Sequence, residues 1–158
     1  LYAEGAVVFG TSVNAAFGSV NIANGFPQAV IEYSTLIGGG NNTPANCVDN
    51  TGTGFGLQLS NSSPTVRYSK ICGGHRGIAS FNNGNSIIQN SDVRVSTTNE
   101  AFLFEITASG SISVANSGIA YLSNKFTGAG TGLRCVHNYS IGTFAALTNG
   151  STAETACD

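Results

Sequence analysis

The chain has 158 residues, enough for one domain with a sizeable core. Charged residues make up only 9% of it and the net charge is -2, so no basic patch exists to neutralise nucleic-acid phosphates. No apolar run is long enough to cross a bilayer. Nearly half of the residues are Gly, Asn, Ser or Thr, and the apolar share of 41% is ordinary. This composition predicts a folded protein of short strands joined by polar turns.

The N-terminal part is the least regular. Residues 5–10 and 15–22 carry strand-like apolar residues, and residues 25–27 (Gly-Phe-Pro) end the second of these segments. The chain starts without a basic leader or an initiator Met, which predicts a mature or excised chain.

From residue 29 onward a short motif recurs. Each copy has a β-branched apolar residue, a Ser three places later, and an apolar residue two places after that Ser. The four copies cover residues 29–36, 64–71, 85–93 and 111–119. The shared serines are Ser34, Ser69, Ser91 and Ser117, at intervals of 35, 22 and 26 residues. Such intervals, without helical periodicity, predict a β-solenoid of stacked rungs. The longest interval holds a polar loop, residues 41–54, as an insertion on one rung.

Stacking places equivalent residues in columns. Two apolar columns are predicted to form the core: Ile31, Val66, Ile88 and Val114, and Leu36, Ile71, Val93 and Ile119. The serine column between them is predicted to point inward at a bend. Alternating apolar residues predict a further strand in each rung, marked by Leu57 and Leu59, by Ile78 and Phe81, and by Phe102, Phe104 and Ile106.

The remaining columns are predicted to face outward. Glu32 falls over Arg67 and Lys70 over Asp92, so opposite charges would face each other on exposed surface and contribute little stability. Like residues also coincide, with Tyr33 over Tyr68 and Asn90 over Asn116.

Residues 63–69 (SPTVRYS) and 85–91 (NSIIQNS) resemble the repeat units of right-handed parallel β-helix proteins of the bacterial-surface and phage-fibre type, and residues 132–157 are similar to the C-terminal end of such proteins. The resemblance implies an all-β, right-handed parallel β-helix of about six or seven rungs. The whole chain, 1–158, would be one domain, with less regular strands in 1–28, regular rungs in 29–130 and a C-terminal cap in 131–158. The resemblance also implies a surface or fibre context, and it carries no catalytic site.

Four cysteines, Cys47, Cys72, Cys135 and Cys157, lack the spacing of a zinc site. Their even number and the absence of Met fit an oxidising compartment, outside the cell or on its surface. A bridge between Cys135 and Cys157 would staple the C-terminal segment over the last rung, and a bridge between Cys47 and Cys72 would pin the inserted loop. Of the three possible connectivities we favour this pair of bridges; the alternative is four free buried thiols.

The carboxylates offer one candidate catalytic group. Carbohydrate cleavage needs two or three carboxylates, or a carboxylate with Lys or Arg, on one face. The best set is Asp92 with Lys70, and Glu100 or Glu105 nearby. The alternative, which we favour, is a solvated face with ion pairs between rungs, because few long loops exist to build a cleft. No catalytic residue, metal ligand or cofactor site is therefore assigned.

Other candidate sites lie on the predicted exterior. His75 and His137 are predicted to be turn or surface residues rather than metal ligands. The candidate glycan contacts are Tyr33, Tyr68 and Tyr121. The candidate N-glycosylation sites are Asn41, Asn61, Asn138 and Asn149.

Together these observations predict a non-catalytic, extracellular structural or adhesive module, part of a surface fibre, filament or appendage. The N-terminal end lacks a staple or capping helix, which predicts self-association through its open strand edges. Cell-surface glycans are the other predicted partner. The alternatives are a short polysaccharide-processing β-helix enzyme and a glycan-binding module.

Overall fold

The computed structural model describes residues 2–4, 7–10, 18–23, 29–38, 54–95, 101–107, 109–121, 124–128, 132–151 and 156–157. These residues form 17 β-strands and no helix. The strands belong to three sheets, and every pairing within a sheet is parallel between a strand and the strand three later in the chain. The predicted all-β parallel solenoid is confirmed.

The first sheet has six strands. In order along the sheet they are β1 (Tyr2–Glu4), β4 (Val30–Glu32), β7 (Thr65–Arg67), β10 (Asn85–Gln89), β13 (Ser111–Ala115) and β16 (Leu133–Val136).

The second sheet also has six strands. They are β2 (Val7–Gly10), β5 (Thr35–Gly38), β8 (Lys70–Gly73), β11 (Asp92–Val95), β14 (Gly118–Ala120) and β17 (Tyr139–Ser140).

The third sheet has five strands. They are β3 (Gly18–Ala23), β6 (Phe55–Ser60), β9 (Arg76–Phe81), β12 (Phe102–Ile106) and β15 (Phe126–Thr127).

One rung consists of three consecutive strands, one from each sheet. The described residues form five complete rungs and a sixth with two strands, β16 and β17, which is fewer than the six or seven predicted. The count is lower because the chain after β17 leaves the stack and covers its end. At the other end β1, β2 and β3 pair in register with β4, β5 and β6, so the stack extends into the N-terminal segment that the motif does not reach.

The core has the predicted columns. Strand pairing puts Ile31, Val66, Ile88 and Val114 in register, and likewise Leu36, Ile71, Val93 and Ile119. All eight side chains are at most 2% exposed. The third sheet closes the core with two further columns. These are Leu57, Ile78 and Phe104, and Leu59, Ser80 and Ile106.

The chain passes from the first sheet to the second at a sharp bend, which we call the first corner. One residue there has a left-handed backbone in each of five rungs, with φ of 48° at Tyr33, 51° at Tyr68, 48° at Asn90, 50° at Asn116 and 53° at His137. Asn and His are found in this conformation more often than other residues, whereas Tyr adopts it at an energetic cost that the surrounding structure must offset. All five residues are exposed.

A buried ladder of serines lies directly after these residues. The N–H of Ser34 donates to Oγ of Ser69 at 3.1 Å, and the N–H of Ser69 donates to Oγ of Ser91 at 3.1 Å. The N–H of Ser91 donates in turn to Oγ of Ser117 at 3.2 Å. Each hydroxyl donates to the carbonyl oxygen two residues earlier, at 2.7–2.8 Å. The serines point inward as predicted, and they satisfy backbone groups that are shielded from water.

Asn138 ends this ladder. Its Oδ1 accepts from the N–H of Ser117 at 2.9 Å, and its amide nitrogen donates to the carbonyl oxygen of Val114 at 3.0 Å. The side chain is only 2% exposed. The longer amide thus replaces serine on the rung that lies under the cap.

The C-terminal segment caps the stack. It runs antiparallel to the last rung, with bridges between Cys135 and Gly150 and between Tyr139 and Ala146, and Leu147 packs against the core. A disulfide joins Cys135 to Cys157, whose Cα atoms are 5.5 Å apart. The predicted staple over the last rung is confirmed.

The second predicted bridge is only partly within the described residues. Cys72 is fully buried and disulfide-bonded. Cys47, its predicted partner, lies outside the described residues, so the pairing of these two cysteines stays a prediction.

The ladder makes a prediction about stability. Ser91→Ala removes the acceptor of the buried Ser69 N–H, so we expect the free energy of unfolding to fall by about 1–3 kcal/mol. The matched control is Ser113→Ala in β13, a half-buried serine whose hydroxyl has no hydrogen bond within the described part of the chain. That change should stay within about 0.5 kcal/mol. Urea unfolding measures both, and equal losses would contradict the role of the ladder.

Candidate functional site

A shallow groove runs along the first corner. Its volume is about 500 Å³, and it crosses four rungs. Its lining residues are Tyr68, Ser69, Lys70, Asn90, Ser91, Asp92, Asn116 and Tyr139.

The groove exists because short residues lie between large ones along two neighbouring columns. Tyr68 stands at one end and Tyr139 at the other. Between them lie the short side chains of Asn90 and Asn116. Gly118 is in the same column as Tyr139, one rung before it, and in register with Asp92 on its other side. A Cβ at Gly118 would lie 2.6 Å from Oδ1 of Asp92 and 3.1 Å from Cε2 of Tyr139, so only glycine leaves this space open.

Each aromatic end of the groove is backed by a second ring. Tyr68 stacks on Tyr33 with ring centroids 5.1 Å apart and planes 9° apart. Tyr139 stacks on Phe144 with centroids 6.2 Å apart and planes 17° apart. The predicted stack of Tyr33 on Tyr68 is confirmed. About half of the surface of each residue is exposed, 58% for Tyr33 and 49% for Tyr68.

Tyr121 lies elsewhere. It follows β14, is half-buried, and packs against the core beside a separate cavity of about 280 Å³ lined in part by Ile119 and Leu147. The three tyrosines predicted as glycan contacts therefore do not share one surface. Sequence position alone could not separate them, because it does not say at which corner a tyrosine lies.

Lys70 and Asp92 are neighbours in register, as predicted. The Asp92 carboxylate, however, pairs with Arg94, with Oδ2 3.3 Å from Nη2. Residues two apart in a strand project from the same face, so Arg94 competes for this carboxylate along its own strand. Lys70 has no ion pair with any described residue.

Glu105 is on a different sheet from Asp92. It accepts a hydrogen bond from Nε of Arg76 at 2.7 Å, and the Arg76 guanidinium lies 4.8 Å from the centre of the Phe102 ring. Glu100 lies outside the described residues. The structure thus brings Lys70 and Asp92 together but does not bring Glu105 into their groove.

Glu32 and Arg67 form the predicted ion pair between rungs. The prediction that this pair is exposed is wrong for the carboxylate, because Glu32 is 7% exposed. Arg67 remains exposed and covers it. Removing either partner would leave a charge without its counterion, and for Glu32 that charge would be buried.

The two histidines occupy turns. His75 is half-buried and stacks on Phe55, with ring centroids 6.4 Å apart. His137 is exposed at the first corner, and its backbone N–H donates to Oδ1 of Asn149 at 2.6 Å. The described residues contain no group of three or more His, Cys, Asp or Glu that could hold a metal ion.

The sequons differ in exposure. Asn61 and Asn149 are exposed. Asn138 is buried and both ends of its amide are hydrogen-bonded, and glycosylation at any of these sequons stays a prediction. Asn41 lies outside the described residues.

No protein-family model, curated protein or solved structure matches this chain. The resemblance to β-helix proteins is therefore supported by the fold alone. Within the described part of the chain, no helix has the length and apolar character needed to cross a membrane.

The groove makes a second stability prediction. Gly118→Ala should force Asp92, Ile141 and Tyr139 apart and lower the free energy of unfolding by about 1–3 kcal/mol through overpacking. Gly142→Ala is the matched control, because a Cβ there meets nothing within 4 Å, and it should change stability by less than about 0.5 kcal/mol. Thermal unfolding compares the two, and equal midpoints would show that the space beside Gly118 can accept a methyl group.

Proposed function

We propose that this chain is a non-catalytic, extracellular structural or adhesive β-solenoid module, a component of a surface fibre, filament or appendage that associates with further copies of itself.

The observation that carries the proposal is the way the chain uses its few charges. Glu32 pairs with Arg67 on the next rung, and Arg76 pairs with Glu105 on the next rung. These pairs join successive rungs along the stack rather than converging on one groove. Such an arrangement suits a stiff rod, because each pair ties two neighbouring rungs together.

The disulfide supports the extracellular part of the proposal. The bond between Cys135 and Cys157 persists in oxidising surroundings and would be reduced by the thiol pools of a cytosol. The many Asn, Ser and Thr residues on turns give the rod a polar exterior with little net charge.

The two ends of the described stack support self-association. The end at β16 and β17 is covered by the antiparallel cap. At the other end β1, β2 and β3 each pair with one strand only among the described residues. The backbone groups of three parallel edges can accept strands of a second copy.

A polysaccharide-cleaving enzyme is the alternative. It would need a second carboxylate, or an equivalent acid, beside Asp92. Of the described residues in the predicted catalytic set, Lys70 alone is a neighbour of Asp92, because Glu105 lies on another sheet.

Sedimentation velocity over a micromolar-to-millimolar concentration series tests the proposal. We expect the mean mass to rise with concentration and micrographs to show elongated particles. Val7→Pro removes the N–H that faces the open edge of β2, because residues in its column donate toward the preceding rung, and should weaken association, with circular dichroism checking the fold. Phe144→Ser at the capped end is the control and should leave association unchanged. A monomer at every concentration, or an equal loss of association in both variants, would contradict the proposal.

A further inference from the structure

The groove at the first corner presents groups that complement hydroxyls. The side-chain amides of Asn90 and Asn116 are exposed and have no hydrogen-bond partner within the described residues, and each offers both donors and an acceptor. Lys70 adds donors and Asp92 adds acceptors at the same surface. A hydroxyl group is itself both donor and acceptor, so a polyhydroxylated ligand can use every one of these groups.

The charge balance of the groove excludes a polyanion as its best ligand. Lys70 and Asp92 are neighbours in register and both line the groove, and Arg94 already pairs with the Asp92 carboxylate. A nucleic acid or an acidic polymer bound in the groove would be repelled by the Asp92 carboxylate.

The aromatic ends supply the other half of a sugar site. The rings of Tyr68 and Tyr139 line the groove, and the apolar C–H faces of sugars can pack on such rings. Tyr68 stacks on Tyr33 and Tyr139 stacks on Phe144, and these contacts restrict both rings before a ligand arrives. Side chains that are ordered before binding lose less entropy when a ligand arrives.

The length of the groove selects a chain over a single sugar. Tyr68 and Tyr139 are three rungs apart, which corresponds to about 14 Å at the spacing of paired strands. One monosaccharide cannot contact both rings and both amides, whereas a short oligosaccharide can.

We propose that this groove binds a neutral oligosaccharide, with its hydroxyls held by Asn90 and Asn116 and its apolar faces on Tyr68 and Tyr139. The inference rests on the proposed adhesive function, for which it names the contact surface and the class of ligand.

Titration of the full chain, followed by NMR, tests the inference with four probes. Three are neutral: cellohexaose, xylohexaose and chitohexaose. The fourth is acidic, an oligogalacturonate. We expect at least one neutral probe to shift the side-chain amide signals of Asn90 and Asn116. Absence of shifts with all neutral probes at millimolar concentration, or binding of the acidic probe alone, would overturn the inference.

Matched variants locate the site. Asn90→Gly combined with Asn116→Gly removes both amides but keeps residues that accept positive φ, so binding should weaken at least tenfold while the fold is retained. Asn82→Gly is the control, an exposed Asn with φ of 47° outside the groove, and should change binding less than twofold. Tyr68→Asn removes one ring and should also weaken binding at least tenfold.

Equal binding by the double variant and the control would also overturn the inference. Sedimentation measured alongside the binding titrations distinguishes failure of the glycan site from failure of self-association. A chain that associates but binds no neutral probe overturns only the glycan site, and a chain that binds but stays monomeric overturns only the self-association.

Discussion

The serine ladder is the interaction on which the rest of the structure depends. A bend in every rung leaves backbone N–H groups inside the stack, where an unpaired donor is costly. Ser69, Ser91 and Ser117 each accept the N–H of the serine on the preceding rung and donate their own hydroxyl proton to a carbonyl of their own rung. The bend can then repeat without burying an unsatisfied group.

The ladder also explains the outer surface. At each bend an inward serine, or Asn138 on the last rung, follows a residue that has a left-handed backbone and an exposed side chain. Tyr68, Asn90 and Asn116 are displayed in one line for this reason. The groove is therefore a consequence of the same bend that holds the rungs together, and its chemistry varies with one residue per rung.

Most of the stack could be predicted from the sequence, because the motif repeats a local requirement: an apolar residue, an inward serine and a second apolar residue. Asn138 could not be recognised by that rule, since Cys135 and Asn138 replace the β-branched residue and the serine at the register positions of Val114 and Ser117. The pairing of Asp92 with Arg94 and the burial of Glu32 depend on how side chains compete across strands, which no spacing encodes.

Hydrogen exchange of the ladder amides tests the central claim most directly. The N–H groups of Ser34, Ser69, Ser91 and Ser117 each donate to a side chain of the next rung, so their exchange requires the rungs to separate. We expect these four amides to exchange among the slowest in the chain, with opening free energies close to that of global unfolding. Exchange as fast as that of the exposed amides of Asn82 and Asn83 would contradict the account.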